Sequence, residues 1–493
     1  MEHSLKQKAL SGILWKLLEN FGVQVIQLLT TILLARLIDP ADYAPLSLTV
    51  VFITFATIFV QRGFEKALVQ RRDVTDADLS TALYLCLLAA LLCYALFFLF
   101  APAIAAYYQT PAGVPVMRVM GLILFFYAIN TVLNAIIARR MQFYKIFIAS
   151  LIAIVLSGVV SILMAVIGLG TWALVAQQMV QMGAISLVLW IETGFRPKKT
   201  LSLRRAGAML AYGWKLLLAG IVDTLFLQTA ALMLGKLGGT QTLTYHNKGR
   251  QFPAIIGADT NTAIQTALFP VLSNKQDDPA MLHSMLRRAM AGSAFLMAPL
   301  LIGLAAVAEP MVRIVLTEKW LPSVPYLRVF CVCFAVYPIT TTGTQALNAL
   351  GRSDIFLRLE LIRKSFGALL LVLVLLFFRS AYAVALAVAA TYVFSAFLNV
   401  PVLKRETGYA LAEQAADVLP PFALAACMGA AVYAVSFLGL GDWATLLLQV
   451  GIGVLIYTLG AYLTKMRTFF YLLDSGREFL RGRRVRTDGE GTE

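Results

Sequence analysis

The sequence predicts an all-α polytopic membrane protein of about 14 transmembrane helices, built as two six-helix lobes related by a parallel repeat with two helices appended. Three observations predict it. Apolar residues make up 60% of 493 and charged residues only 14%, with a mean hydropathy of +0.79, which a soluble domain could not hide from water. The apolar runs have the roughly 20-residue length that crosses hydrocarbon as α-helix, without the dyad alternation of an outer-membrane barrel. The chain also repeats itself at a distance of roughly 200 residues.

The repeat is carried by several short pieces in order. Trp15-Lys16-Leu17-Leu18 returns as Trp214-Lys215-Leu216-Leu217, Leu34–Leu37 as Leu234–Leu237, and Ala67-Leu68 as Ala267-Leu268. Val114-Pro115-Val116-Met117-Arg118-Val119 returns as Val324-Pro325-Tyr326-Leu327-Arg328-Val329. Carriers use such duplicated bundles to place a substrate path between two halves.

Fourteen spans follow, near 11-35, 43-69, 79-101, 115-138, 146-168, 171-192, 208-235, 243-270, 287-307, 325-350, 355-378, 381-403, 417-438 and 443-464. Basic residues cluster in alternate connections: Lys6 and Lys8, Arg71 and Arg72, Arg139, Arg140 and Lys145, Arg196 to Arg205, Lys275 with Arg287 and Arg288, Arg352 with Arg358, Lys404 and Arg405, and the Arg-rich tail. The positive-inside rule makes the N-terminus, the even-numbered connections and the C-terminus cytoplasmic. The net charge of +15 is then a matter of topology and anionic lipid, not of nucleic acid.

Six spans per copy bring the second copy in on the same side, so the repeat axis runs along the membrane normal. The expected division is 1-195 for the N-terminal lobe, 196-207 for a basic cytoplasmic linker, 208-405 for the C-terminal lobe and 406-465 for two additional helices. Residues 466-493 suit a cytoplasmic interfacial helix and a disordered tail. Lys16 and Glu19 interrupt the first apolar run, which belongs to the repeat and is expected to be retained rather than cleaved. The five cysteines fall inside spans without metal spacing and suit core packing, and His3, His246 and His283 are scattered, so no metal or catalytic triad is expected. Without a Walker A sequence, nucleotide hydrolysis on this chain is excluded and no cofactor is expected.

A charge inside the bilayer costs several kcal/mol unless it meets water or a partner, so charged residues in spans are the candidates for function. Lys16 and Lys215 match across the repeat; each either snorkels to the cytoplasmic surface or lines a cavity. Arg62, Glu65 and Lys66 close span two, as cavity residues or an interfacial cluster. Arg118 and Arg328 form a second matched pair, lining a path or anchoring helix ends. His246, Lys248 and Arg250 enter span eight together. The candidates for a cationic substrate site are thus Lys16, Arg62, Lys66, Arg118, Lys215, Lys248, Arg250 and Arg328. Asp223 and Asp259, read as the only acids deep in the second lobe, are either an ion-coupling site or structural salt-bridge partners. The excess of cations suits an anionic cargo, and Tyr127, Asn130, Asn134, Tyr245 and Tyr337 suit a polyhydroxylated one. Gln177, Gln178 and Gln181 in span six suit helix contacts or sugar hydroxyls.

Over nearly its whole length the chain resembles bacterial polysaccharide-unit flippases of the Wzx type, in the branch that includes the colanic-acid exporter. The resemblance rests on Leu33–Tyr43 (LLARLIDPADY), Gln70–Tyr84 (QRRDVTDADLSTALY), Arg140–Phe143 (RMQF) and Gly168–Leu174 (GLGTWAL). It continues through Leu268–Ser273 (LFPVLS) to Asp278, Glu318–Pro322 (EKWLP) and Ala349–Arg352 (ALGR). Asp39 and Ala44 stand where the family usually has glycine, which bears on local geometry at the first outer turn. The resemblance implies the superfamily of multidrug-and-toxin exporters and lipid II flippases, and two six-helix lobes in a V. It implies an undecaprenyl-pyrophosphate-linked oligosaccharide as cargo, moved from the cytoplasmic to the periplasmic leaflet of the bacterial inner membrane by alternating access. It further implies contact with membrane lipids and with a polysaccharide polymerase and chain-length regulator, and no enzymatic step. Two alternatives stay open on the residues: a cation-coupled multidrug exporter, whose cavity would need acids, and a membrane glycosyltransferase or polymerase, for which the outer connection near 308-324 is too short to hold a catalytic domain.

Reporter fusions test the topology. Fusions after Arg72, Arg205, Lys275, Arg405 and Arg486 should read cytoplasmic, and those near Asp39, Gln109 and Glu318 periplasmic; a periplasmic C-terminus breaks the fourteen-span arrangement.

Overall fold

Eleven helices among the described residues are long and apolar enough to cross a membrane. They coincide with expected spans two to six and nine to fourteen. The computed structural model describes residues 22–61, 68, 74–198, 207, 217–218, 220–221, 224–225, 228–259, 261, 279–350, 352–471 and 473–474. Span one appears as the helix Gly22–Leu37. Span seven is helical over 228–237, and span eight over Gly239–Ala254 with a π-turn at Ile255–Asp259. The rest of these three spans, on which the count of fourteen depends, lies outside the described residues.

Local chemistry sets the helix starts. Span two (Pro40–Gln61) opens on a proline, whose missing N–H costs nothing at a first turn. Span three (Asp76–Tyr107) opens on a capping box, in which the Thr75 amide donates to the Asp78 carboxylate at 2.9 Å and the Asp78 amide donates to the Thr75 hydroxyl at 3.3 Å. Span four is two helices, Gly113–Met120 and Ile123–Arg140. Spans five and six are Phe143–Val166 and Thr171–Thr193.

Two of the family-like segments meet where span two begins and span six begins. The Thr171 hydroxyl donates to the Asp42 carbonyl at 2.7 Å. Gly170 beside it has φ +44°, and a Cβ there would lie 2.8 Å from the Asp42 carboxylate, so both backbone conformation and space require glycine.

In the second half, span nine is Pro279–Ala306, followed by a short amphipathic helix, Ala308–Leu316, and a 3-10 turn, Glu318–Ser323. Spans ten to twelve are Val324–Ala349, Ser353–Leu373 continued by a π-turn to Phe378, and Ala381–Thr407. Spans thirteen (Leu411–Ala434) and fourteen (Asp442–Leu463) are clamped at both ends. At one end Arg287 binds Asp417 through two nitrogens at 2.8 and 2.9 Å and Glu413 at 3.2 Å, Tyr409 donates to Asp417 at 2.8 Å, and His283 meets Glu413 at 3.1 Å. At the other, Arg313 bridges Asp442 at 3.0 Å and Glu309 at 3.2 Å. The two-pronged guanidinium–carboxylate contact fixes orientation as well as distance. Beyond span fourteen, helical residues 467–471 lie against span nine: Phe469 packs on Phe295 at 6.1 Å and the Arg288 guanidinium sits 5.8 Å from the Tyr471 ring.

The chain falls into two compact units, Met1–Thr244 and Tyr245–Glu493. The first is cored by Leu48, Cys86, Met117 and Leu124, all essentially buried. One core of the second is Leu286, Met290, Ala346 and Tyr409 beneath the Arg287 clamp.

Gly170→Ala should destabilise the protein by about 1–2 kcal/mol, through the left-handed backbone and the Asp42 clash. Thermal unfolding of the detergent-purified protein measures this; an unchanged midpoint contradicts the strained turn.

Candidate functional site

Polar side chains in the second unit join into a track across spans eight, ten, eleven and twelve. Arg363 on span eleven lies about 15 Å along the helix from its start at Ser353. Its guanidinium donates to Glu360 at 3.0 Å and to Asn399 of span twelve at 3.3 Å. Asn399, 1% exposed, donates onward to the Thr340 carbonyl of span ten at 2.9 Å. The next residue, Thr341, donates to the Asn261 side chain of span eight at 2.8 Å.

Glycine 343 permits this approach, because a Cβ there would lie 3.2 Å from Leu403 and 3.4 Å from the Asn399 amide. Among the described residues, two donors of the track have no acceptor: the Asn261 amide nitrogen and Arg363 Nε, both shielded from solvent. A buried donor left unpaired costs about 1–3 kcal/mol.

Aromatic rings line the same helices. Tyr337 lies 5.9 Å from Tyr392 and 6.2 Å from Phe334, and Phe334 lies 6.3 Å from Phe330. The exposed Arg250 guanidinium sits 6.0 Å from the Phe330 ring. Rings beside cations can stack on a sugar while pairing its anionic substituents.

The expected site residues fall in different places. Arg250 and Tyr337 belong to this cluster. Lys248 is 7% exposed, its ammonium 5.0 Å from the ring of the fully buried Trp320. Tyr245 faces the same ring at 6.2 Å. The matched arginines both sit on aromatic rings: Arg118 at 4.2 Å from Phe98, and Arg328 at 5.6 Å from Tyr433 with a bond to the Ala305 carbonyl at 3.3 Å. Asn130 and Gln177 in the first unit each carry a buried side-chain atom without a hydrogen-bond partner. Asp259 ends the π-turn; its side chain lies outside the described set. Lys16, Arg62, Lys66, Lys215 and Asp223 lie outside the described residues.

One reading is corrected: Asp223 and Asp259 are not the only acids deep in the second half. Glu360 sits within span eleven on the buried side, with 30% side-chain exposure, sharing its carboxylate between Arg363 at 3.0 Å and Lys364 at 3.7 Å. Sequence reasoning missed Glu360, Arg363, Asn399 and Tyr392. The signal was present, since Arg363 shares one helical face with the buried Leu359, Leu371 and Val374, while exposed Leu361, Leu369 and Val372 mark the opposite face.

A second polar seam lies in the first unit, at the end of span three. The Thr110 and Thr240 hydroxyls are 3.1 Å apart, and Thr244 donates to Ser47 at 3.0 Å. Tyr108 reaches the Leu232 carbonyl at 3.5 Å, and Lys236 donates to the Tyr107 carbonyl at 2.9 Å with its ammonium 3.8 Å from that ring. Spans seven and eight are thereby stitched to spans two and three.

Helices of this length enclosing polar tracks define a polytopic membrane transporter fold. Within that class, the family model described as "Polysaccharide biosynthesis protein" matches residues 33–325, more than half of the chain, and the chain belongs to that family. Among curated proteins it is similar to the succinoglycan biosynthesis transport protein ExoT of Rhizobium meliloti (strain 1021), 23% identical over 71% of each chain. It is similar to the teichuronic acid biosynthesis protein TuaB of Bacillus subtilis (strain 168), 23% identical over 88% of this chain and 90% of the relative. The lipopolysaccharide biosynthesis protein WzxC of Escherichia coli (strain K12) is 24% identical over 71% and 72%. Among solved structures, the lipid II flippase MurJ in an inward closed conformation superposes with a TM-score of 0.73 at 14% identity, covering 92% of this chain and 99% of that one. An inward-facing multidrug MATE transporter gives 0.59 at 13% identity, over 78% and 94%. These two likenesses establish the fold.

Asn399→Ala should cost about 1–3 kcal/mol, because it strips an acceptor from Arg363 and a donor from Thr340. Thermal unfolding of the purified variant reads this, and an unaltered midpoint removes Asn399 from the track.

Proposed function

We propose that the protein is a flippase that carries undecaprenyl-pyrophosphate-linked oligosaccharide units from the cytoplasmic to the periplasmic leaflet of the bacterial inner membrane, with both termini cytoplasmic. The observation that carries the reading is the buried polar track from Asn261 to Arg363 in a chain of the polysaccharide biosynthesis family. A sugar-pyrophosphate head cannot cross hydrocarbon unaided. It needs cations, amides and rings at membrane depth, while its polyprenyl tail stays in lipid. The names of the relatives, which concern succinoglycan, teichuronic acid and lipopolysaccharide, support a glycan cargo.

The reading takes residues 1-195 and 208-405 as the two repeats, joined by the basic linker 196-207. Residues 406-465 are the clamped pair, and 466-493 a cytoplasmic helix and tail. Spans two and three against seven and eight then become an outer seal between repeats, which must open to deliver cargo outward. Lys16, Arg62, Lys66 and Lys215 belong to the cationic path in this reading, with Asp223 and Asp259 as acids for ion coupling. A polymerase and a chain-length regulator receive the product. In a cell that is negative inside, the membrane potential favours outward movement of an anion by about 2.3 kcal/mol per charge per 100 mV.

Deletion of the gene should abolish assembly of the host's surface or secreted glycan, with lipid-linked units accumulating inside, and the wild-type chain should restore it. A Lys16→Gln, Lys215→Gln double variant at normal abundance should lose most output, and Lys→Arg changes should lose less. Full output from the double variant refutes a shared role for the two lysines.

The seal has its own test. A Thr110→Cys, Thr240→Cys pair, oxidised to a disulfide, should stop transport, and reduction should restore it. Undiminished transport by the cross-linked protein excludes opening at that seam.

A further inference from the structure

Arg363 is a guanidinium inside span eleven whose charge is answered by Glu360, a residue of its own helix, 3.0 Å away. Glu360 is in turn 3.7 Å from Lys364, so one carboxylate serves two cations on a single turn. A guanidinium has five N–H donors in a fixed fork. Here one arm is on Glu360 and another on Asn399, and Nε, shielded from solvent, has no acceptor among the described residues.

The pair is also reachable. Arg363 retains 13% and Glu360 30% of their side-chain exposure, and Arg363 shares a helix face with the buried Leu359, Leu371 and Val374. Tyr337, Tyr392 and Phe334 pack on one another on spans ten and twelve, the helices that Arg363 reaches through Asn399 and Thr340.

We propose that Glu360 is a tethered counter-ion, which an oxyanion on the cargo's polar head displaces from Arg363 on binding and which displaces that oxyanion again on release. This rests on the flippase reading and deepens it by naming the exchange site. A bare arginine inside a span would hold an anion too tightly to let it leave, and would be costly to bury when empty. A carboxylate one turn away solves both problems. It neutralises the empty site, and as a ligand at high effective concentration it competes for the same donors. Transport needs binding strong enough to load and weak enough to unload, and the internal competitor sets that balance. The neighbouring rings fit an oxyanion attached to or next to a sugar. A phosphate and a uronate carboxylate share that chemistry.

The experiment uses the full-length protein in lipid nanodiscs and two probes: farnesyl pyrophosphate, and a glucuronic-acid disaccharide without phosphate. Glu360→Gln should bind one of them on the order of tenfold tighter than wild type, and slow flipping of a lipid-linked oligosaccharide in proteoliposomes. The probe that tightens identifies the oxyanion as phosphate or carboxylate. Arg363→Gln should lose that binding, and the Glu360→Gln, Arg363→Gln double variant should bind as weakly as Arg363→Gln alone. Glu360→Asp, which keeps the charge but shortens the reach, should fall between wild type and Glu360→Gln, and serves if Glu360→Gln does not fold.

Unchanged or weaker affinity for both probes in folded Glu360 variants overturns the counter-ion. Equal tightening of Glu360→Gln with and without Arg363 overturns it as well. Failure of the broader reading looks different: the wild-type chain would then not restore glycan assembly in the deletion strain, whatever the Glu360 variants bind.

Discussion

A charge in hydrocarbon must be answered by the protein, and the way Arg363 is answered organises the second half of this molecule. Its guanidinium is satisfied by its own helix through Glu360 and by span twelve through Asn399. Asn399 in turn fastens span ten at Thr340, and span ten holds Asn261 of span eight through Thr341. Apolar packing between such helices is nonspecific, because lipid tails are as apolar as leucine. Directional bonds of this kind select one arrangement of the four helices. Among the described residues they also leave the Asn261 amide and Arg363 Nε without an acceptor.

The remaining charged clusters of the second half lie at helix ends and do a different job. Arg287 with Asp417 and Glu413, and Arg313 with Asp442 and Glu309, join spans thirteen and fourteen to span nine and the amphipathic helix after it. Each of these arginines reaches a carboxylate on another helix, Asp417 or Asp442, whereas Arg363 meets its carboxylate on its own helix and reaches span twelve through the neutral Asn399.

Much of the fold was legible because bilayer thickness leaves a plain mark, a run of about 20 apolar residues, and eleven expected spans have helices in place. Their ends were less legible. Span three runs on to Tyr107 past Pro102, since a helix in lipid tolerates a proline when neighbours satisfy the freed carbonyl. The site was legible only in part. Arg250 and Tyr337 were found as a cation and a ring inside spans, but the charges at Glu360 and Arg363 stand within a dozen residues of a basic connection and read as its margin. Only the helical phase turns them inward. Lys248 shows the reverse, a cation that looks available in sequence and lies under Trp320, because the fold of the 318–323 turn is invisible in one dimension. The repeat, which singled out Lys16 with Lys215, speaks to positions beyond the described residues. Arg118 and Arg328, which it also matched, each rest on a ring.

The seam that stitches spans seven and eight to spans two and three is made of hydroxyls, carbonyls and one ammonium over a ring. No carboxylate takes part in these contacts. Each neutral bond of this kind contributes about 0.5–1.5 kcal/mol net, so the seam as a whole is worth a few kcal/mol. Driving a two-state equilibrium from almost wholly closed to almost wholly open takes about 5.5 kcal/mol, a comparable quantity. A seam built from bidentate arginine–carboxylate pairs, like those that hold span thirteen, would have locked one state. As the proposed seal, a seam built from threonines and a tyrosine leaves the closed state favoured by a margin that one bound passenger can reverse.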